Sequence, residues 1–183
     1  MASAFAHVLV AVTLGKTYPG RFSSAKFWLL GSMCAVIPDA DVIMFRFGIP
    51  YEHFLGHRGF SHSLVFAFLL ALLVTFVFDR NTDLLRKQGL ALILFFFLCT
   101  ASHILLDALT NGGLGVAVFS PFDQERYFLP WRPISVSPFG IREFISTRGW
   151  RILQNKFFWV GLPCIFLLAL VSISKIRKRE PIR

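Results

Sequence analysis

The chain has little charge. Only 16% of its 183 residues are Asp, Glu, Lys or Arg, against about a quarter in an average soluble domain, which excludes an ordinary water-facing surface over most of the molecule. Cysteine is scarce as well. Cys34, Cys99 and Cys164 each lie inside an apolar stretch without paired or metal-binding spacing, so they are expected to serve as small hydrophobic side chains. No Ser/Gly/Pro-rich linker, low-complexity tract or internal repeat divides residues 1–183. A single domain with a basic tail at 175–183 is therefore expected. The N-terminus lacks the basic start and small-residue cleavage site of a secretory signal, its first lysine being Lys16, and is expected to be retained.

Hydrophobicity is what the chain has in excess: 55% hydrophobic residues, 22 of them phenylalanine, and a mean hydropathy of +0.63. A membrane span takes roughly 20 mainly apolar residues, and residues 60–78, 89–109 and 157–173 meet or approach that length. The expected fold is an all-α integral membrane protein of about five helices, two short N-terminal ones and three longer spans, with a long irregular loop before the last. In order these are a helix near 2–14, a basic turn at 15–26, a helix near 27–37, an irregular stretch at 38–59, a helix at 60–78, a turn at 79–88, a helix at 89–110, a loop at 111–156 and a final helix that Pro163 kinks.

A net charge of +9 would suggest nucleic acid in a soluble protein. Here the basic residues gather in short segments between apolar runs, so membrane topology explains them and no nucleic-acid partner is expected. The two turns and the tail carry Lys16, Arg21, Lys26, Arg80, Arg86, Lys87, Lys175, Arg177, Lys178, Arg179 and Arg183; the other side carries Arg46, Arg58, Arg126, Arg132, Arg142, Arg148, Arg151 and Lys156 in longer segments. The tail is accordingly expected in the cytoplasm.

Alternation along the hairpins brings the ionisable motifs to the face opposite the basic turns. His62 and His103 lie 21 and 20 residues from Asp83, near the middle of their shared turn, so antiparallel helices place them at nearly equal depth. His7 and Asp39 flank the other turn. In Ser102-His103-Ile104-Leu105-Leu106-Asp107-Ala108-Leu109-Thr110, His103 and Asp107 stand at i and i+4 on one helical face. They suit joint coordination of a metal, or equally a structural His-Asp hydrogen bond. Gly56-His57-Arg58-Gly59-Phe60-Ser61-His62-Ser63 either aims two imidazoles inward or caps a helix through Ser61 with the histidines solvated. Pro38-Asp39-Ala40-Asp41 offers two carboxylates as ligands, or one as the cap of the following apolar run.

Together His7, Asp39, Asp41, His57, His62, His103 and Asp107 form a candidate metal set. Mixed imidazole and carboxylate ligation suits zinc, with manganese or iron as alternatives, better than calcium. Seven ligands exceed the three or four of one catalytic ion and fit a two-ion hydrolytic site. Glu52 or a ligand aspartate is the candidate base, and Arg58, Arg126 and Arg132 are candidate binders of an anionic substrate, with lipid-headgroup contact as the other reading. A membrane metal carrier or transporter is the competing class, but its ligands belong near the bilayer midplane.

These motifs, with the early His7 and the stretch from Ser120-Pro121-Phe122 through Arg126, Leu129-Pro130 and Trp131-Arg132-Pro133, resemble the YdjM-like family of LexA-regulated, inner-membrane metal-dependent hydrolases over residues 7 to about 140. Ser61 stands where some relatives have Thr, which keeps a hydroxyl beside the ligands. The resemblance implies a bacterial inner-membrane hydrolase with metal ligands at the matched His and Asp positions, and it supplies no substrate. Ligand types in a helical context, with one near the N-terminus, are also similar to zinc-dependent phospholipase C, a likeness that does not establish activity; the expected substrate is a phospholipid or another amphiphilic ester delivered from the membrane.

Overall fold

The computed structural model describes residues 3–18, 24–78, 83–137 and 141–177. Arg21, Arg80, Lys178, Arg179 and Arg183 of the basic side lie outside the described residues. Helix α1 (Ala4–Thr17) and helix α2 (Ala25–Val36) form the first hairpin, α3 (Leu64–Phe78) and α4 (Lys87–Ala108) the second. A single turn, α5 (Ile141–Phe144), precedes α6 (Thr147–Lys156), which continues through a π-helical turn, Phe157–Gly161, into α7 (Leu162–Arg177). The described residues contain no strand, only isolated bridges pairing Thr110 with Ile134 and Val116 with Tyr127.

Three of the expected boundaries move. The second helix does not stop at 37: it passes into a 3-10 helix over Ile37–Phe47, so Ala25–Phe47 is 23 residues long and, like Lys87–Ala108 and Thr147–Lys175, long and apolar enough to cross a membrane. Conversely, the helix expected from 60 starts at Leu64. Residues Phe60–His62 make one 3-10 turn, Ser63 is extended, and its Oγ accepts from Phe66 N at 3.0 Å. Ser63, not Ser61, therefore caps α3. The last helix starts ten residues earlier than expected, and its irregularity is the π turn just ahead of Pro163, whose ring cannot supply the usual hydrogen bond.

The interior is built from small and aromatic residues. Cys34, Ala35, Ala71 and Cys99 pack with Phe27, Leu92, Phe95 and Phe96, and the Phe27 and Phe95 rings stack at 4.4 Å. Close approach through small residues is how helices associate when lipid is the solvent. Large apolar side chains point outward instead, among them Phe68, Leu73, Leu94, Ile165 and Phe166, an arrangement that is costly in water and natural in hydrocarbon. All three cysteines are free and buried, as expected. At the basic end, Lys26 Nζ donates to the carbonyls of Val77 and Phe78, and Lys175 Nζ to that of Lys16. These contacts gather the ends of α1, α3 and α7 with the start of α2 and leave the His/Asp motifs at the opposite end.

Candidate metal centre

Pro38 begins the construction. It has no N–H for the carbonyl of Cys34, and the 3-10 pattern that follows directs later N–H groups to carbonyls three residues back. Two carbonyls at the end of α2 thus become available to α4: Thr100 Oγ1 donates to Cys34 O at 3.2 Å, and His103 Nδ1 to Ala35 O at 2.7 Å. Because a carbonyl only accepts, His103 Nδ1 carries the proton and Nε2 presents a lone pair.

The same 3-10 geometry separates the two aspartates. With three residues per turn, positions two apart diverge by about 120° around the axis. Asp39 turns toward His62 Nε2 and His103 Nε2, with Oδ1 at 3.6 and 3.5 Å. Asp41 turns toward the Gly56–Ser63 segment. It accepts from His57 Nδ1 at 2.6 Å, Arg58 N at 3.0 Å and Ser61 Oγ at 2.5 Å, and its Oδ2 lies 3.1 Å from His62 Nδ1. His62 therefore carries its proton on Nδ1, toward Asp41, and presents Nε2 to the centre.

The consequence is a juxtaposition that neutral imidazoles cannot sustain alone. His62 Nε2 and His103 Nε2 are 3.0 Å apart, so either a second proton on His62, which the surrounding carboxylates of Asp39, Asp41 and Asp107 favour, or a cation lies between them. Asp107 Oδ2 is 3.7 Å from His62 Nε2 and Asp107 Oδ1 is 3.8 Å from His7 Nε2, while the His7 ring stacks on His103 at 3.8 Å. Neither nitrogen of His7 and neither oxygen of Asp39 has a hydrogen bond among the described residues. Asp39, His62, His103 and Asp107 form one buried group whose ligand atoms all lie within 4.8 Å of one another. Ligands of an ion with bonds near 2.0–2.2 Å stand about 3.3–3.6 Å apart in a tetrahedral arrangement, and separations of 3.0–3.7 Å within the group are of that order, so the group could hold a metal ion.

The sevenfold set divides. Asp41, His57 and His62 make a second candidate group, but it uses His62 Nδ1, and a neutral imidazole whose Nε2 faces the first group has its proton there. One ion with an oriented surround fits this geometry better than two.

Arg58 differs from expectation. Its side chain is 0% exposed; Nε donates to Asp107 Oδ2 at 2.9 Å, one terminal nitrogen to Gly112 O at 2.9 Å and the other to Thr110 Oγ1 at 3.0 Å. It offsets the charge of Asp107 from inside and does not face an incoming anion. Its φ of 63° is left-handed, a conformation costing a non-glycine residue about 1–2 kcal/mol, and the bonds at both of its ends hold it there. Gly113, with φ 86°, lies against it: a Cβ there would meet the Arg58 guanidinium at 3.0 Å and the Tyr51 hydroxyl at 2.8 Å.

Arg126 is likewise a staple. Its guanidinium donates to the carbonyls of His57 and Tyr51, each at 2.7 Å, and packs over the Tyr51 ring. Burial raises the Tyr51 hydroxyl above its ordinary pKa, so it stays protonated. Arg132 is exposed and lies over Phe128. Glu52 is exposed and outside both candidate metal groups; it lines a small crevice with His53 and Arg126. Its assignment as base has no support in this placement, because neither its burial nor its neighbours relate it to the metal ligands. Lys156, read as an external charge, is buried, with Nζ on Ser137 Oγ. Sequence reasoning missed Thr100, the carbonyls of Cys34 and Ala35, and Thr110 as a partner of Arg58. Pro38 was the available signal for the first three, since it orphans a carbonyl.

These features define a multi-helix membrane protein with a buried His/Asp centre at one end of its bundle. The family described as YdjM inner membrane protein matches residues 1–180, and the chain belongs to that family. It is 35% identical over 173 residues to inner membrane protein YbcI of Escherichia coli (strain K12), covering 93% of this chain and 97% of that one. No solved structure matches.

Proposed function

We propose that the protein is a metal-dependent hydrolase of the inner membrane that binds one divalent ion, zinc by preference, and cleaves phosphoester or lipid-like substrates. The observation that carries the metal is the 3.0 Å approach of His62 Nε2 to His103 Nε2 beside the unbonded oxygens of Asp39. Asp39 Oδ1 lies 3.6 and 3.5 Å from the His62 and His103 nitrogens, beyond hydrogen-bond length, and a buried carboxylate so weakly compensated is costly. Arg58 offsets one of the three carboxylates Asp39, Asp41 and Asp107; a divalent cation, taking the place of a second proton on His62, would offset the others.

Asp39, His62, His103 and Asp107 would hold the ion, with His7 stacked alongside. When bound, such an ion supplies a water nucleophile at neutral pH and stabilises charge on the leaving oxygen. The chain's own residues orient that chemistry. Ala35 and Asp41 set the tautomers of His103 and His62, Ser61 holds Asp41, and Arg58 fixes Asp107 through Oδ2, the oxygen that also lies 3.7 Å from His62 Nε2. His57, with its Nδ1 proton on Asp41, is held in the tautomer whose Nε2 accepts a proton, which makes it a better-placed base than Glu52. The alternative, a protein that holds or carries metal without turnover, is favoured by one observation: His7, His62, His103 and Asp107 are all fully buried, as in closed structural sites. The basic bias of the two turns supports a cytoplasmic C-terminus and a metal centre on the opposite face.

Purified protein counted for metal by mass spectrometry and screened for lipid and phosphodiester hydrolysis tests both. The expected result is one ion per chain and a chelator-sensitive activity, both lost in His62→Ala and Asp107→Asn. A wild type without metal overturns the reading entirely; stoichiometric metal without hydrolysis across the screen moves it to the carrier class.

A further inference from the structure

The helix that begins at Thr147 is too polar at its start to lie in hydrocarbon. In α6, Gly149, Ile152 and Lys156 face the interior, whereas Arg148, Trp150 and Arg151 are exposed. The apolar part from Phe157 to Lys175 is about 28 Å long at 1.5 Å per residue, close to the roughly 30 Å hydrocarbon thickness. Phe157 then marks the hydrocarbon boundary, and Arg151, six residues earlier, stands about 9 Å above it, at headgroup level.

A second segment arrives at the same level. Trp131 packs edge-on against Trp159, with ring centroids 4.8 Å apart, and the Asn155 side chain donates to Pro133 O at 2.9 Å and accepts from Ser135 N at 2.7 Å. Residues 148, 151, 155 and 159 fall within about 80° of one another around a helix of 3.6 residues per turn. The face that meets residues 131–135 is therefore the one that carries Arg148 and Arg151. Arg132, between Trp131 and Pro133, stands at the same level with its guanidinium over the Phe128 ring. None of these three guanidinium groups forms an ion pair among the described residues, and all three are exposed. Two exposed tryptophans lie beneath them, as they do in the interfacial belts of membrane proteins.

We propose that Arg132 and Arg151, with Arg148 above, hold the phosphate of an anionic phospholipid whose acyl chains lie along Trp131, Trp159 and the outer face of α7. Unpaired guanidinium groups match phosphate through parallel hydrogen bonds, and the apolar surface immediately below selects a lipid over a soluble anion. The site is independent of the metal. It shares a wall with it, however: Ile134 is buried against Leu106 of α4 and Ala6 of α1, the two helices that carry Asp107 and His7.

Native mass spectrometry of the full chain, released from nanodiscs containing equal phosphatidylglycerol and phosphatidylcholine, reads the ratio of retained lipids. The wild type should retain phosphatidylglycerol preferentially. Arg132→Gln/Arg151→Gln should reduce that ratio by up to about 25-fold at roughly fivefold per arginine. Arg132→Lys/Arg151→Lys should keep most of the preference. Lys16→Gln/Lys87→Gln, at the opposite end, should keep all of it. Absence of preference in the wild type, an unchanged ratio in the Gln variant, or an equal loss in the opposite-end variant overturns the proposal. Metal content is expected to be the same in all four proteins, so failure here and failure of the metal reading are distinguishable.

Discussion

Replacing Arg58 removes a guanidinium that joins the Gly56–Ser63 segment to Asp107. Its Nε bond to Asp107 Oδ2 is 2.9 Å with both side chains 0% exposed. Truncating one partner of a buried ion pair costs about 3–5 kcal/mol, because the other charge stays buried, and this already includes the loss of the charge-assisted bond. The bonds to Gly112 O and Thr110 Oγ1 add about 1 kcal/mol each, less whatever water recovers. Arg58→Ala is therefore expected to lose about 4 kcal/mol or more of stability without metal. Arg58→Lys keeps the charge but not the fork, and should lose about half as much. Arg58→Gly relieves the left-handed φ of 63° and should be about 1 kcal/mol more stable than Arg58→Ala. The assay is an unfolding titration in mixed detergent micelles, followed by helical circular dichroism, in EDTA and in excess zinc. A bound divalent ion beside Asp107 substitutes for the missing positive charge, so the deficit of Arg58→Ala should narrow in zinc. If Arg58→Ala unfolds within about 1 kcal/mol of wild type in EDTA, the clasp assigned to Arg58 is refuted.

Asp41→Asn should leave one metal per chain but weaken its binding by about 10–100-fold, the usual effect of losing the partner that orients a ligand imidazole; competition with a fluorescent zinc chelator measures it, and complete loss of metal would instead make Asp41 a ligand. A reporter enzyme fused after Arg183 should report the cytoplasm; activity of a periplasmic reporter there would invert the topology and place the metal centre on the cytoplasmic face.

The positions of His62 and His103 show how far a linear count reaches. Equal distance from a shared turn implies equal depth in antiparallel helices, and their Nε2 atoms lie 3.0 Å apart. His7 and Asp39, less symmetric about their own turn, arrive at the same end for the same reason. Helical periodicity and the alternation of sides are local properties, carried by hydrophobic spacing alone, and from them the membrane class, the helix order and the shared face of the ligands follow. The α-to-3-10 transition was less legible: Pro38 announced a break, but that the chain would continue to Phe47 as a tighter helix depends on what α4 offers the freed carbonyls.

Roles within the cluster belonged to the tertiary structure. Arg58 and Arg126 read as substrate binders because a guanidinium matches phosphate through two parallel hydrogen bonds; packing of residues 110–126 over the loop turned both inward, onto Asp107 and onto the carbonyls of Tyr51 and His57. Asp39 and Asp41 are equivalent in sequence, and only the 120° step of the 3-10 helix sends one toward the Nε2 atoms of His62 and His103 and the other to the far nitrogen of His62. Spacing along a chain determines which side of the bundle a residue occupies. Which atom meets which depends on distances between helices that are not neighbours in sequence, and these are settled only when the whole bundle packs.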